Sequence, residues 1–159
     1  MQPFDEMNDP IGNTINMNYP SKLAFLVTFL FFNCQKEDSG TSKVLDFEVF
    51  TIEADAEWKG FTNQGIDSRV GGLSDGSGVL NFDYGWYSYN FNKETTETHL
   101  LIRTSIDSYP ALIVRPKQKG KGIIGLYVEV GGANALSLYG ENIQDEEEII
   151  AMFNSVKFK

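Results

Sequence analysis

Apolar and polar positions alternate in short blocks along most of the chain, and the blocks predict strands. Leu45, Phe47 and Val49 alternate with Asp46 and Glu48, the period of a half-buried strand. Phe50 and Ile52 then move the apolar character to the other parity, so residues 44–53 read as one strand carrying a bulge. Trp58 opens a turn running to Gly65. Residues 66–70 form a short strand ending at Gly71-Gly72, and SDGSG at 74–78 has the composition of a hairpin turn. Residues 79–84 return with Leu80, Phe82 and Tyr84 on one face. Past Gly85 the parity flips, with Tyr87, Tyr89 and Phe91 against Ser88 and Asn90, which predicts a bend at Gly85-Trp86 and further strand beyond it. Strands over 98–105, with Leu100 and Ile102 inward, and over 109–115 follow, then a hairpin of 123–130 with 135–139. One helix is predicted, over 145–155. Glu146, Glu147 and Glu148 suit its N-terminal dipole, and Ile149, Ile150, Phe153 and Val156 form its apolar stripe. The expected fold is α+β, an antiparallel sheet with a C-terminal helix packed on one face.

The N-terminal part has a different pattern. Residues 23–32 are an apolar run broken only by Thr28 and preceded by Lys22. The run is shorter than the roughly 20 residues that span a bilayer, and it matches the core of a secretory signal, about 7–15 residues behind a positive charge. Residues 1–16 are polar and acidic, and Met17 begins a complete short signal, so 1–16 read as a start-site artefact or a disordered extension. The expected organisation is a signal at 17–33, a tether at 34–43 and one folded domain at 44–159.

Charge narrows the partners. The formal net charge is −9, of which Asp5, Glu6, Asp9 and Lys22 leave −2 ahead of Cys34 and −7 from there on. An acidic domain repels phosphate backbones, so no nucleic-acid partner is expected. Cys34 is the single cysteine, which leaves an odd thiol in an exported protein.

Cys34 directly behind the apolar core resembles a bacterial lipoprotein signal, in which the cysteine is lipidated and becomes the first mature residue. The box before it reads Phe31-Phe32-Asn33 where such signals have an aliphatic residue and two small ones. Gln35, Lys36, Glu37 and Asp38 resemble the lipoprotein export signal of Bacteroidetes-type bacteria. This likeness implies anchoring through acyl chains, each methylene contributing about 0.8 kcal/mol, in the outer membrane, at the cell surface or on its periplasmic face. Within the folded part, GIDSRVGG (65–72), FDYGWYS (82–88) and EEIIAMFNSVKF (147–158) resemble a bacterial exported family with a PsbP-like α-β-α sandwich fold. The resemblance implies binding or scaffolding.

Several motifs look chemical. Gly72-Leu73-Ser74-Asp75-Gly76 matches the nucleophile elbow G-x-S-x-G, but the elbow needs a helix after it and here a strand follows. Gly120 to Gly125 matches G-x-G-x-x-G, again running into a strand where a dinucleotide site needs a helix. With one histidine, His99, and no calcium-loop spacing, no metal or other cofactor is expected. Arg115, Lys117, Lys119 and Lys121 form a basic stripe, either a solvated face or a contact for an acidic glycan or protein. Asp67, Arg69, Asp83, Tyr84, Trp86 and Tyr87 form the most distinctive cluster. It reads first as an Arg69 ion pair with Asp67 and Asp83 beside a packed Trp86, and second as a ligand platform, since exposed aromatics beside carboxylates suit sugars or peptides. The expected function is a non-enzymatic, membrane-anchored module binding an envelope protein or glycan. The alternatives are a small hydrolase of an envelope polymer using Asp67 and Asp83, and an assembly factor for an envelope complex.

Overall fold

The computed structural model describes residues 41–159. The signal at 17–33, Cys34 and the export residues Gln35, Lys36, Glu37 and Asp38 lie outside the described residues. The described part is ten strands and one helix: β1 (Ser42–Asp46), β2 (Phe50–Asp55), β3 (Lys59–Asn63), β4 (Arg69–Ser74), β5 (Val79–Gly85), β6 (His99–Ile106), β7 (Tyr109–Pro116), β8 (Ile123–Gly131), β9 (Asn134–Glu141), α1 (Glu146–Asn154) and β10 (Lys157–Phe158). Every strand pairing is antiparallel, and the fold is α+β as expected.

Seven strands form the main sheet in the order β3-β4-β5-β9-β8-β7-β6, and β1, β2 and β10 form a small second sheet. The small sheet and α1 cover one face of the main sheet. Alternation sets that face: Leu80 and Phe82 on β5, Leu136 and Leu138 on β9, Ile124, Leu126 and Val128 on β8 and Ile113 on β7 are buried in register. Against them pack Phe50 and Ile52 from β2 and Ile149, Met152 and Phe153 from α1. Phe47, Phe50 and Phe82 form an aromatic knot with ring centroids 4.9–5.2 Å apart. Burying side chains of this size contributes about 1.5–3 kcal/mol each.

The helix lies where its sequence puts it. Asp145 accepts the Glu148 N–H as N-cap, and Ile149, Phe153 and Val156 are fully buried, with Met152 joining the stripe. The SDGSG turn also forms as read: Ser74 pairs with Val79, and Asp75 Oδ1 accepts the N–H groups of Ser77 and Gly78. Ser74 Oγ donates to the Gly78 carbonyl within this turn, so the G-x-S-x-G match is a hairpin.

Elsewhere the structure corrects the reading. Residues 44–53 are two strands, because the parity shift at Phe50 is a chain reversal: Glu48 has φ +66° and its N–H is taken by Asp46 Oδ1. β3 occupies part of the expected 58–65 turn: all five of its residues are exposed at the sheet edge, so they carry no alternation to mark a strand. Gly71 and Gly72 lie inside β4 rather than ending a strand. A Cβ on Gly71 would collide with the Phe61 carbonyl and sit 2.7 Å from the Phe82 ring, so only glycine lets these strands close. Leu100 and Ile102 are 46% and 44% exposed, because β6 is the far edge strand and nothing described covers it.

The predicted strand beyond Gly85 is instead an irregular strap over residues 86–98. Sheet order requires it: β5 and β6 are separated by β9, β8 and β7, so the connection crosses three strands. Phe91 is buried on the outer face of the sheet, its ring lying where a side chain on Gly125 would be and 6.4 Å from Tyr139. Ser88 Oγ lies within 2.8–3.1 Å of the Asp83, Gly85 and Ala135 carbonyls and accepts the Gly85 N–H, pinning the start of the strap.

Candidate ligand-binding site

Strand direction sorts the loops into two ends. At one end lie Ser42, Asp55, Trp58, the 75–78 turn, the 117–122 turn and the start of α1. At the other lie the 47–49 turn, the 64–68 loop, the start of the strap, the 107–108 turn and the 132–133 turn. The predicted cluster gathers at this second end, though not in the arrangement first read.

Trp86 is 70% and Tyr87 79% exposed, so Trp86 is not a core residue. Both follow Gly85 where β5 leaves the sheet, and Ile66, fully exposed, projects from the neighbouring loop. Ser68 approaches so closely that a Cβ on Gly85 would be 2.7 Å from the Ser68 Cβ, which brings the 64–68 loop beside the start of the strap. Tyr84, half-buried, packs on the core opposite Arg69 and Leu136.

Arg69 does not bridge to Asp67 or Asp83. Register explains this: Asp83 is opposite Val70, so its side chain leaves the other face of the sheet, while Arg69 shares the face that meets the small sheet. Arg69 Nη1 instead lies 3.1 Å from Glu48 Oε2. Asp67 sits exposed on the loop. Asp83 Oδ1 and Ser137 Oγ are buried without a hydrogen-bond partner, and they belong to directly opposed residues of β5 and β9.

Beneath the Arg69–Glu48 pair is a cavity of about 380 Å³. Phe47 and Phe82 give it an apolar floor; Thr62, Ser68, Arg69, Asp46 and Glu48 give it a polar rim, while Asn63 and Val70, paired on the Asp83 face, border it at strand level. Its size falls within the roughly 300–1,000 Å³ of small-ligand sites. Asp46 is held below the usual carboxylate range by the Lys159 ammonium, 2.6 Å away, with help from the Glu48 N–H.

The basic stripe is also revised. Arg115 is bound to Glu146 at 2.7 Å and Glu147 at 2.6 Å, which raises its already high pKa. Glu146 is buried and also accepts the Gly120 N–H at 2.8 Å, so the helix N-terminus fastens the 117–122 turn. Lys117, Lys119 and Lys121 remain exposed on that turn. Gly122 and Ile123 lead into β8, so the G-x-G-x-x-G match has no helix behind it. His99 lies under this turn, its Nδ1 2.8 Å from Thr98 Oγ1.

No protein-family model, curated protein or solved structure matches this chain. Among the described residues, no group of three or more His, Cys, Asp or Glu side chains is placed to hold a metal, and no helix is long and apolar enough to cross a membrane. Sequence reading missed Glu48 as the partner of Arg69, because the hairpin that delivers it was read as one strand. It also missed the Arg115–Glu146 contact, which joins residues 31 apart with no local signal.

Proposed function

We propose that this chain is a lipid-anchored cell-envelope protein whose folded domain binds or scaffolds without catalysis. The site is the end of the sheet carrying Trp86, Tyr87, Arg69 and the adjoining cavity. One observation carries the reading: two large aromatics stand in solvent at the end of the sheet that holds a cavity with an apolar floor and polar rim, and Ser68, which lines the cavity, packs against Gly85 just ahead of them. Soluble proteins seldom leave such side chains open, and aromatics that do stand open are favoured contact residues.

Ser42, the first residue of β1, lies at the opposite end of the sheet from Trp86. Anchoring itself rests on the apolar run, Cys34 and Gln35, Lys36, Glu37 and Asp38. The blocks at 65–72, 82–88 and 147–158, with the sheet-and-helix layering, support a PsbP-like fold.

Two measurements test the proposal. Mass spectrometry of the native protein should find an acylated peptide beginning at Cys34; an unmodified Cys34 ends the anchoring reading. Trp86→Ala and Tyr87→Ala should melt with the wild type and lose binding to isolated cell envelopes. Variants that bind as wild type would remove this end as the site.

A further inference from the structure

The charges around the aromatic end point to the chemistry of its ligand. Three cationic side chains lie there, and each is already paired: Arg69 with Glu48 at 3.1 Å, Lys159 with Asp46 at 2.6 Å and Lys157 with Asp107 at 3.4 Å. Asp67 and Glu129 are exposed there with no salt bridge. An anionic ligand in the cavity would meet a single lining cation, Arg69, already paired with Glu48, and the carboxylates of Asp46 and Glu48. The polar groups that remain are hydrogen-bonding ones. Thr62 and Ser68 offer hydroxyls that both donate and accept, and the carboxylates accept only.

We infer that this end takes a neutral saccharide chain, an inference that rests on the binding-module reading above. A sugar ring has an apolar C–H face and an edge of hydroxyl groups. The first fits an exposed indole or phenol ring such as those of Trp86 and Tyr87. The second fits the Thr62, Ser68 and Glu48 rim over an apolar floor of Phe47 and Phe82. Carboxylates accept hydroxyl hydrogen bonds without a net charge on the ligand, and such charge-assisted bonds are the stronger kind. The acidic balance of the whole chain, −9, acts in the same direction by disfavouring uronate-rich or sulfated chains.

The test is affinity electrophoresis of the full chain in detergent, through native gels cast with a soluble β-glucan, a soluble α-glucan, a galactomannan or polygalacturonate. Retardation is expected in at least one neutral gel and not in polygalacturonate. Trp86→Ala, and separately Thr62→Ala in the rim, should weaken it at least tenfold with melting unchanged. Retardation by polygalacturonate alone, or by none of the four, overturns the inference. Unaltered retardation of both variants overturns it too, because the sugar would then bind elsewhere. The two ideas fail separately: wild type that binds isolated envelopes through Trp86 but is retarded by no neutral polysaccharide keeps the binding module and loses the saccharide.

Discussion

Glu146→Gln is the most informative single perturbation of the fold. The Glu146 carboxylate is 1% exposed and has two obligations: Oε2 accepts from Arg115 Nε at 2.7 Å, and Oε1 accepts from the Gly120 N–H at 2.8 Å. Glutamine keeps the shape but has one oxygen. If that oxygen serves Gly120, the amide NH2 faces the Arg115 N–H, donor against donor. If the amide turns over, the Gly120 N–H loses its acceptor. Either way a buried donor is stranded, at about 1–3 kcal/mol, and a charge pair is lost. Breaking a fully buried pair costs about 3–5 kcal/mol. Arg115 is 28% exposed and keeps Glu147, so the loss falls short of that, at about 2–3 kcal/mol. A domain of this size moves by about 4 °C per kcal/mol, so the melting temperature should fall by roughly 8–12 °C. Urea denaturation at pH 7 followed by circular dichroism gives the energy directly. Arg115→Met alone should also destabilise, and the double variant should recover at least about 1 kcal/mol relative to additivity. A Glu146→Gln protein within about 0.5 kcal/mol of wild type, or strict additivity, would refute the clamp.

Other substitutions probe separate parts of the structure. Burial raises the pKa of Glu148, the Trp58 N–H at 2.6 Å lowers it, and Asp55, Asp145 and Asp75 raise it further, for a net rise. A raised folded pKa gives stability that is complete below the unfolded value of 4.5 and lost as pH climbs through the folded value. Glu148→Gln should therefore raise the melting temperature at pH 7, with the advantage vanishing below about pH 4.5; equal gains at both pH values would contradict it. Ser137→Ala removes a buried hydroxyl without a partner and should leave stability equal or higher in a urea melt. A loss above about 1 kcal/mol would mean that the hydroxyl is bonded in solution. Gly125→Ala places a methyl in the Phe91 ring, so limited proteolysis should begin cutting within 86–98 while wild type stays intact there. Equal resistance would mean that Phe91 does not hold the strap.

Legibility in the sequence followed the range of the interaction. Strand alternation in 79–84, the Asp75 turn and the capped helix are set by neighbours a few residues away, and all were readable. β3 was not, because an edge strand exposed on both faces has no apolar period to read. The strap misleads for the opposite reason: Tyr89 and Phe91 alternate as a strand would, but Phe91, at φ +56°, breaks the extended backbone and packs onto the sheet with the Tyr89 ring 5.0 Å away and the Tyr89 hydroxyl bonded to Glu94. The aromatic cluster was found by its composition. Its arrangement depended on register, which put Asp83 and Arg69 on opposite faces and gave Arg69 a partner 21 residues upstream.

The order of the main sheet also constrains how the chain folds. β3-β4-β5 and β6-β7-β8-β9 are two meanders, each built from hairpins between sequence neighbours. They meet at a single seam, β5 against β9, where Asn81 faces Tyr139 across about half of the domain sequence. Hairpins form in microseconds, whereas contacts between distant residues must first overcome loop-closure entropy. The seam is therefore the natural late step, and the strap is the tether that holds the two halves within reach while they search. Doubling the length of a flexible tether adds only about 0.6 kcal/mol to closure. Insertions near Lys93 should thus slow assembly little, whereas side chains that spoil the Phe82–Leu138 or Tyr84–Leu136 contacts should slow it most, leaving two hairpin sheets with unpaired edges exposed to their neighbours.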